Sequence, residues 1–469
     1  EKTLGRLGIV FERPPDAGLD LSAGVESPRW LPGARLDITR SCFTAEAERP
    51  AILFEREGSG DLETLTLGEL EEWVDRFAAG LQQAGCSPGD AVALYMPMTP
   101  ECVAAYLGTV RAGCRVVSVA DSFSAVELAK RMEIGGARAV VTVHAYRRGG
   151  REIALYPRVR EAFGRLPDAA LAIVVGPGRL EAGDVAWEDF LSSRESGEGF
   201  VASPDHVTNV LFSSGTTGTP KAIPWTALTP LKCGMDAHFH HDVHPGDVVC
   251  WPTNVGWMMG PWLIYASLMN DATMALYEGA PAGEGFVRYV REAEVTMLGV
   301  VPSLVRSWRA SRVVGPGEWE GVRVFSSTGE ASNPEDDLWL MSLADYRAPI
   351  VEYLGGTEIG GGHVTGTVVQ PASPATFTTP ALGIDIVLLD EGGRVISGEG
   401  EGEVFLVPPA LGLSQSLLNA DHHATYYQGC PVGPGGEILR RHGDQMARLA
   451  GGFYRARGRA DDTMNLGGI

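Results

Sequence analysis

Between Ser213 and Lys221 the 469-residue chain reads SSGTTGTPK, a run of hydroxyl and glycine residues with no bulky side chain before Pro220. Gly215 and Gly218 let backbone N–H groups turn toward an anion, and the hydroxyls of Ser213, Ser214, Thr216 and Thr217 add short neutral donors. Lys221 can then place a cation beside a bound polyphosphate. A Gly/Ser/Thr cluster is more often a surface linker, but the order of residues opposes that here. The β-branched and apolar run VTNVLF (207–212) precedes it as a buried strand would, and Ala222, Ile223 and Trp225 follow. A Walker loop is excluded, because that pattern needs Gly-Lys-Ser/Thr opening a helix and here Pro220 precedes the lysine.

The elements that must hold this loop follow from periodicity. From Leu65 a helix is expected, with Leu70, Trp73, Phe77 and Leu81 three or four residues apart. Strands are expected at 90–95, 114–119 and 139–143, with helices between them, which implies βαβ units and a mainly parallel sheet covered on both faces. The alternation resumes from 207 to about 375. Around 383–390 and 402–407 it gives way to two strand-like runs separated by a Gly-Gly turn at 392–393, the pattern of antiparallel pairing and of a small β-barrel. The expected division is an irregular entry segment at 1–50, α/β units at 51–206 and 207–379, a barrel at 380–460 and a hinge at 461–469.

Composition sets the outer bounds. With 44% hydrophobic and 21% charged residues the chain is an ordinary globular one. A net charge of −21 argues against a nucleic-acid or anionic-membrane surface. The longest apolar run, Gly256 to Met269, is interrupted by Gly260 and Pro261 and is too short to span a bilayer. Seven scattered cysteines without a CxxC pair imply buried thiols in a reducing compartment, cytoplasmic by default, with a reducing organelle lumen such as a peroxisome equally compatible if the source is eukaryotic.

The phosphate-type loop resembles that of the adenylate-forming superfamily of acyl-CoA synthetases, aryl-CoA ligases, luciferases and peptide-synthetase adenylation domains. Further blocks follow in the family's order. Trp30 to Asp37 resembles the entry segment of acetyl-CoA-synthetase-like members, along the CoA side of the cleft. Trp257, Met258 and Met259 resemble the segment lining the acyl pocket, where methionine suits a flexible chain; by default such a cluster is core. Gly329, Glu330 and Ala331 lie in a turn resembling the one that packs on adenine, and Thr328 just before them is by resemblance part of the acyl pocket. The same turn reads equally as a strand-to-helix connection capped by Asn333 before Pro334. Thr357-Glu358 matches the Gly-x-Thr-Glu block. The resemblance implies that Glu358, with Thr217, holds Mg²⁺, which takes hard oxygen ligands, and that Thr357 contacts the α-phosphate or the metal's water.

At 442–444 the chain reads His-Gly-Asp, then Gly-Arg-Ala-Asp-Asp at 458–462. By resemblance Asp444 accepts both ribose hydroxyls, Arg459 bonds ribose or phosphate, and Asp461 with Asp462 form the hinge of a small C-terminal domain. Whole phrases (SSGTTGTPKAIPWT, FSSTGEASN, RHGD, GRADDTMNLGGI) look like the plant peroxisomal acyl-activating enzymes of the acetyl-CoA-synthetase-like branch. Two positions depart from the pattern. Gly355 stands where acetate and propionate enzymes carry a pocket-closing tryptophan, and Leu354 where many relatives place an aromatic against adenine. With Gly356 beside it, Gly355 is expected to enlarge the acyl pocket and admit a medium-chain or aryl-alkyl acid.

The implied enzyme is α/β in fold, with ATP, Mg²⁺ and CoA as cofactors and a small carboxylic acid as substrate. The acid would attack ATP to give an acyl-adenylate, and a thiol would then take the acyl group. The family's small C-terminal domain, which carries a lysine used in adenylation and one face of the CoA tunnel, is expected to be absent from these 469 residues. These residues alone are therefore expected to bind nucleotide, adenylate slowly and make no thioester. Loading of a carrier protein and a non-catalytic nucleotide-binding role are the alternatives. His238, His240, His241 and His244 are expected on a surface helix rather than around a metal, His422 and His423 are likewise not read as metal ligands, and the acidic run 399–403 is expected in a solvated turn.

Overall fold

The computed structural model describes residues 2–167, 170–192, 199–213 and 219–460. Its first sheet has seven strands in the spatial order 185–186, 171–175, 137–143, 91–95, 115–118, 207–213, 221–226. All neighbours are parallel except the last pair, which is antiparallel. The second sheet has nine, ordered 379–380, 361–365, 350–356, 324–327, 297–300, 248–250, 273–278, 50–56, 63–66. Its six central strands are parallel, and antiparallel strands close both edges. The α/β expectation therefore holds, but chain order and sheet membership differ. The strand Pro50–Arg56 pairs with Thr273–Glu278, far along the chain, and Val207–Ser213 sits in the first sheet beside Arg115–Ser118.

Local sequence explains the helices. Leu67–Gln83 is opened by a capping box in which Thr66 and Glu69 each satisfy the other's backbone N–H, and its Leu70, Phe77 and Leu81 are buried. Pro334–Ser342 starts with proline at its first turn behind Asn333, whose side chain accepts from the Glu335 N–H. The helices Leu228–Phe239 and Met259–Leu268 are almost wholly buried, the second on every side. A helix apolar all round belongs in an interior. Both join the main core, which takes residues from the two large sheets.

The third unit corrects an expectation. Residues 385–389, 400–407, 440–448 and 454–459 form an open four-stranded antiparallel sheet, not a closed barrel. Val364, Phe377, Leu388, Val404 and Met446 pack one face of it against the second large sheet, so it covers its apolar side by stacking rather than by closure.

The histidine run is also corrected. His240 and His241 are buried, not on a surface. His240 bridges the Gly366 carbonyl and the Leu382 N–H, and His241 contacts the Asp236 carbonyl and the Ser326 hydroxyl. Residues whose polarity suggested solvent thus tie the helix to the second sheet. Among the described residues no helix is long and apolar enough to cross a membrane, and all seven cysteines are free.

Candidate nucleotide-binding site

Ser213 and Lys221 face each other as the last pair of an antiparallel ladder, so the glycine-hydroxyl run is the connection of a hairpin. Ser214, Gly215, Thr216, Thr217 and Gly218 lie outside the described residues. Its base is well defined. Asn419 donates to the Pro220 carbonyl and accepts from the Ala222 N–H, pinning both sides of Lys221. The Ser213 hydroxyl is buried with no hydrogen-bond partner among the described residues, a state that costs free energy unless a ligand or water fills it. The Lys221 ammonium stands 5.3 Å from the centre of the Tyr426 ring, close enough for a cation–π contact.

From this strand the indole of Trp225 donates to the Thr357 carbonyl at 2.8 Å and fixes the turn that carries Glu358. Ser414 donates its N–H to the Glu358 carbonyl, and Arg440 holds Ser414 through two bonds. Gly356 is required beside them, since a Cβ there would lie 2.9 Å from both Glu358 Oε2 and His442 Cε1.

Three of the candidate residues, Glu358, Asp444 and Arg459, converge here together with His442. Glu358 Oε1 lies 3.4 Å from His442 Nδ1, His442 Nε2 lies 3.2 Å from Asp444 Oδ2, and Arg459 donates to Asp444 Oδ1 at 3.2 Å. Asp444 and Arg459 are direct cross-strand partners. Gly443, at φ +90°, leaves room for the guanidinium, because a Cβ would sit 2.8 Å from Arg459 Nη2.

Burial pushes the Glu358 carboxyl up, but His442, Lys221 and Arg440 outweigh it and the net shift is downward. His442 is itself pushed down to about 4, first by burial, and is neutral at pH 7. At that pH the cations acting on Glu358 are therefore Lys221 and Arg440. Asp444 is shifted upward by burial, against the pull of His363 and Arg459.

The other candidates are placed differently. Thr328 donates to the Tyr353 carbonyl and ties its turn to the strand Ile350–Gly356. Gly329 and Ala331 are exposed, whereas the Glu330 carboxylate accepts from the Ser303 N–H and hydroxyl and pairs with Arg306. Glu330 thus anchors the turn to the helix Pro302–Ser311. Trp257 is half-buried and edge-on to Phe123 at 5.6 Å, Met258 is half-buried, and Met259 is in the core. A Cβ on Gly355 would fall 1.9 Å from the Gly361 carbonyl oxygen, so on this backbone the direction of its missing side chain is filled by the neighbouring strand. Asp461 and Asp462 lie outside the described residues.

Sequence reading named Trp225 only as part of the apolar run after Lys221 and did not single out His363, Tyr426 or Asn419. No short motif marks them, because each is brought in from a distant strand or loop. The one local signal was His442, unused beside Asp444.

Residues 40–412 match the model of the AMP-binding enzyme family. The chain belongs to that family. Its relatives within it include the probable peroxisomal acyl-activating enzyme 17 of Arabidopsis thaliana, 47% identical over 99% of this chain and 67% of that protein. The hexanoyl-CoA synthase of Cannabis sativa is 44% identical over the same shares. Among solved structures, the acetoacetyl-CoA synthetase from Streptomyces lividans superposes with a TM-score of 0.89 at 26% identity, covering 99% of this chain and 73% of that one. The chain thus spans about two thirds of the length of these curated AMP-binding relatives. They are named as acyl-activating and CoA-ligating enzymes, which makes the family one of AMP-forming ligases.

Proposed function

We propose that this chain binds ATP across the Lys221 hairpin, the Glu358 turn and the Asp444 strand, and belongs to an acyl-CoA synthetase acting on a medium-chain or aryl-alkyl acid. The observation that carries the reading is the continuous contact from Glu358 through His442 to Asp444 and Arg459, with the Lys221 charge acting on Glu358. Asp444 would accept the ribose hydroxyls, Arg459 would steady sugar or phosphate, and Lys221 with the Ser213 hydroxyl would meet the phosphates. Thr357 contributes at the α-phosphate. The turn 328–331 offers a face for adenine.

A substrate carboxylate oxygen attacks the α-phosphorus in line. The new P–O bond forms as the bond to pyrophosphate breaks, leaving an acyl-adenylate. A thiolate sulfur, that of CoA, then attacks the acyl carbon and AMP departs. There is little covalent work for the protein to do, so its part is positioning and charge stabilisation. Glu358, held ionised in a turn, offers a hard oxygen to a phosphate-bound Mg²⁺, and Thr217 would be the second protein ligand. When bound, that ion would offset the charge on the leaving pyrophosphate.

The acid preference is supported by the half-buried Trp257 and Met258 and by the naming of one relative as a hexanoyl-CoA synthase, not by space at Gly355. A peroxisomal or cytoplasmic setting accords with the seven free cysteines and with the Arabidopsis relatives. Acid-dependent ATP–pyrophosphate exchange tests the reading. Hexanoate and phenyl-substituted acids should support exchange better than acetate does. Preference for acetate refutes the acid class, and calorimetry detecting no adenosine nucleotide at millimolar concentration refutes the site.

A further inference from the structure

We propose that His363, His442 and Asp444 form a binding site for a borderline-soft divalent cation such as Zn²⁺, and that filling it excludes the nucleotide. The second half of this statement rests on Asp444 being the ribose ligand; the first does not.

His363 is the anomaly that points to the site. It projects from the strand Gly361–Thr365 with its side chain fully buried, yet neither ring nitrogen has a hydrogen-bond partner among the described residues. Buried histidines elsewhere in the chain are bonded through the ring, as His240 and His241 are. Asp444 Oδ2, also buried, is likewise without a hydrogen-bond partner, while Oδ1 is taken by Arg459. These unused atoms face one another. His363 Nε2 is 3.6 Å and His442 Nε2 3.2 Å from Asp444 Oδ2, and the three ligand atoms lie within 4.8 Å of one another.

Bonds of about 2.0–2.1 Å to a tetrahedral zinc place ligand atoms roughly 3.3–3.4 Å apart, so the cluster needs little movement to close on an ion. The surroundings also suit a metal. His442 Nδ1 is directed at Glu358 Oε1 at 3.4 Å, the carboxylate–histidine arrangement that orients an imidazole whose other nitrogen binds a metal. Two imidazoles and one carboxylate favour zinc or cobalt over Mg²⁺, which prefers oxygen. The proposed Mg²⁺ ligand Glu358 therefore stands behind this site rather than in it. An ion on Oδ2 takes the carboxylate oxygen that the ribose needs.

The test uses Co²⁺ as a visible probe on the metal-free chain and adenosine as an uncharged competitor that does not itself chelate metal strongly. One equivalent of Co²⁺ should give intense visible absorption that Zn²⁺ abolishes. His363→Phe, which keeps ring volume and removes both nitrogens, should lose that absorption and still bind adenosine. Glu358→Gln should weaken Co²⁺ binding by about 10- to 100-fold, which keeps the test valid if the phenylalanine variant does not fold. In the unmodified chain Zn²⁺ should raise the apparent adenosine Kd in proportion to its concentration.

Absence of the Co²⁺ absorption, or unchanged Co²⁺ affinity in both variants, overturns the metal site. Metal binding that leaves adenosine affinity unchanged overturns the exclusion. Failure of the metal-free chain to bind adenosine instead refutes the nucleotide site, whatever the metal does.

Discussion

Two charged clusters lie along the strand Gly361–Thr365, and they are built in opposite ways. In one, Asp236 and Lys232 pair at 2.7 Å with no exposure of either side chain. The second Asp236 oxygen accepts from the Tyr353 hydroxyl at 2.6 Å and from the Gly362 N–H at 3.0 Å. Trp262 completes the network by donating to the Tyr353 oxygen. In the other, His363, His442 and Asp444 are also buried, but His363 and Asp444 Oδ2 are left without hydrogen bonds among the described residues. Satisfied buried polar groups rigidify a fold, whereas unsatisfied ones are tolerated where a ligand completes them. The first cluster is therefore read as structure and the second as site.

The sharpest way to break this contrast is Asp236→Ala. Removing one partner of a buried pair leaves Lys232 uncompensated and should cost about 3–5 kcal/mol of stability in chemical denaturation. A variant of unchanged stability with lost nucleotide binding would reverse the assignment of the two clusters.

Asp444→Ala should do the opposite. Loss of charged hydrogen bonds to the sugar weakens nucleotide binding by about 1.5–3 kcal/mol, measured by calorimetry. Stability should hold or rise, because burial already disfavours the ionised Asp444.

The pH dependence of stability sharpens the contrast further. His363 and His442 are pushed down from 6.5 to about 3 and about 4, in each case first by burial. A histidine with a depressed folded value contributes nothing adverse above the unfolded value. As pH falls below it, the unfolded chain takes up the proton first, so stability is lost at up to about 1.4 kcal/mol per pH unit for each group. Denaturation midpoints should decline from about pH 6.5 downward, and His363→Phe should flatten that decline; an equal slope in the variant contradicts it.

The smallest effect is expected at Trp225→Phe. It removes one bond to the Thr357 carbonyl, for about 0.5–1.5 kcal/mol of stability, and should lower pyrophosphate exchange by loosening the Glu358 turn. Exchange that is unaffected would remove Trp225 from the positioning of that turn.

Much of this was legible in one dimension. The helix at 67–83 was visible in the spacing of Leu70, Phe77 and Leu81, and the alternation of strands and helices carried the α/β class. The antiparallel strands near 385 and 400 were visible too, but their closure was not: whether a curled sheet meets itself or stacks on a neighbour depends on distant apolar residues such as Val364 and Phe377. Gly355 is the instructive case. Its identity suggested vacated space, and the direction of its missing side chain proved to be occupied by the Gly361 carbonyl.

Sequence alone determined which functional groups this protein possesses and the order in which the chain delivers them, because loop chemistry and period are properties of a few neighbouring residues. Only the tertiary structure decided that Pro50–Arg56 joins the second sheet, that Lys221 closes a hairpin, and that His363 meets His442 and Asp444. Those outcomes depend on long-range strand pairing and on which polar atoms burial leaves unpaired, and neither is written in local spacing.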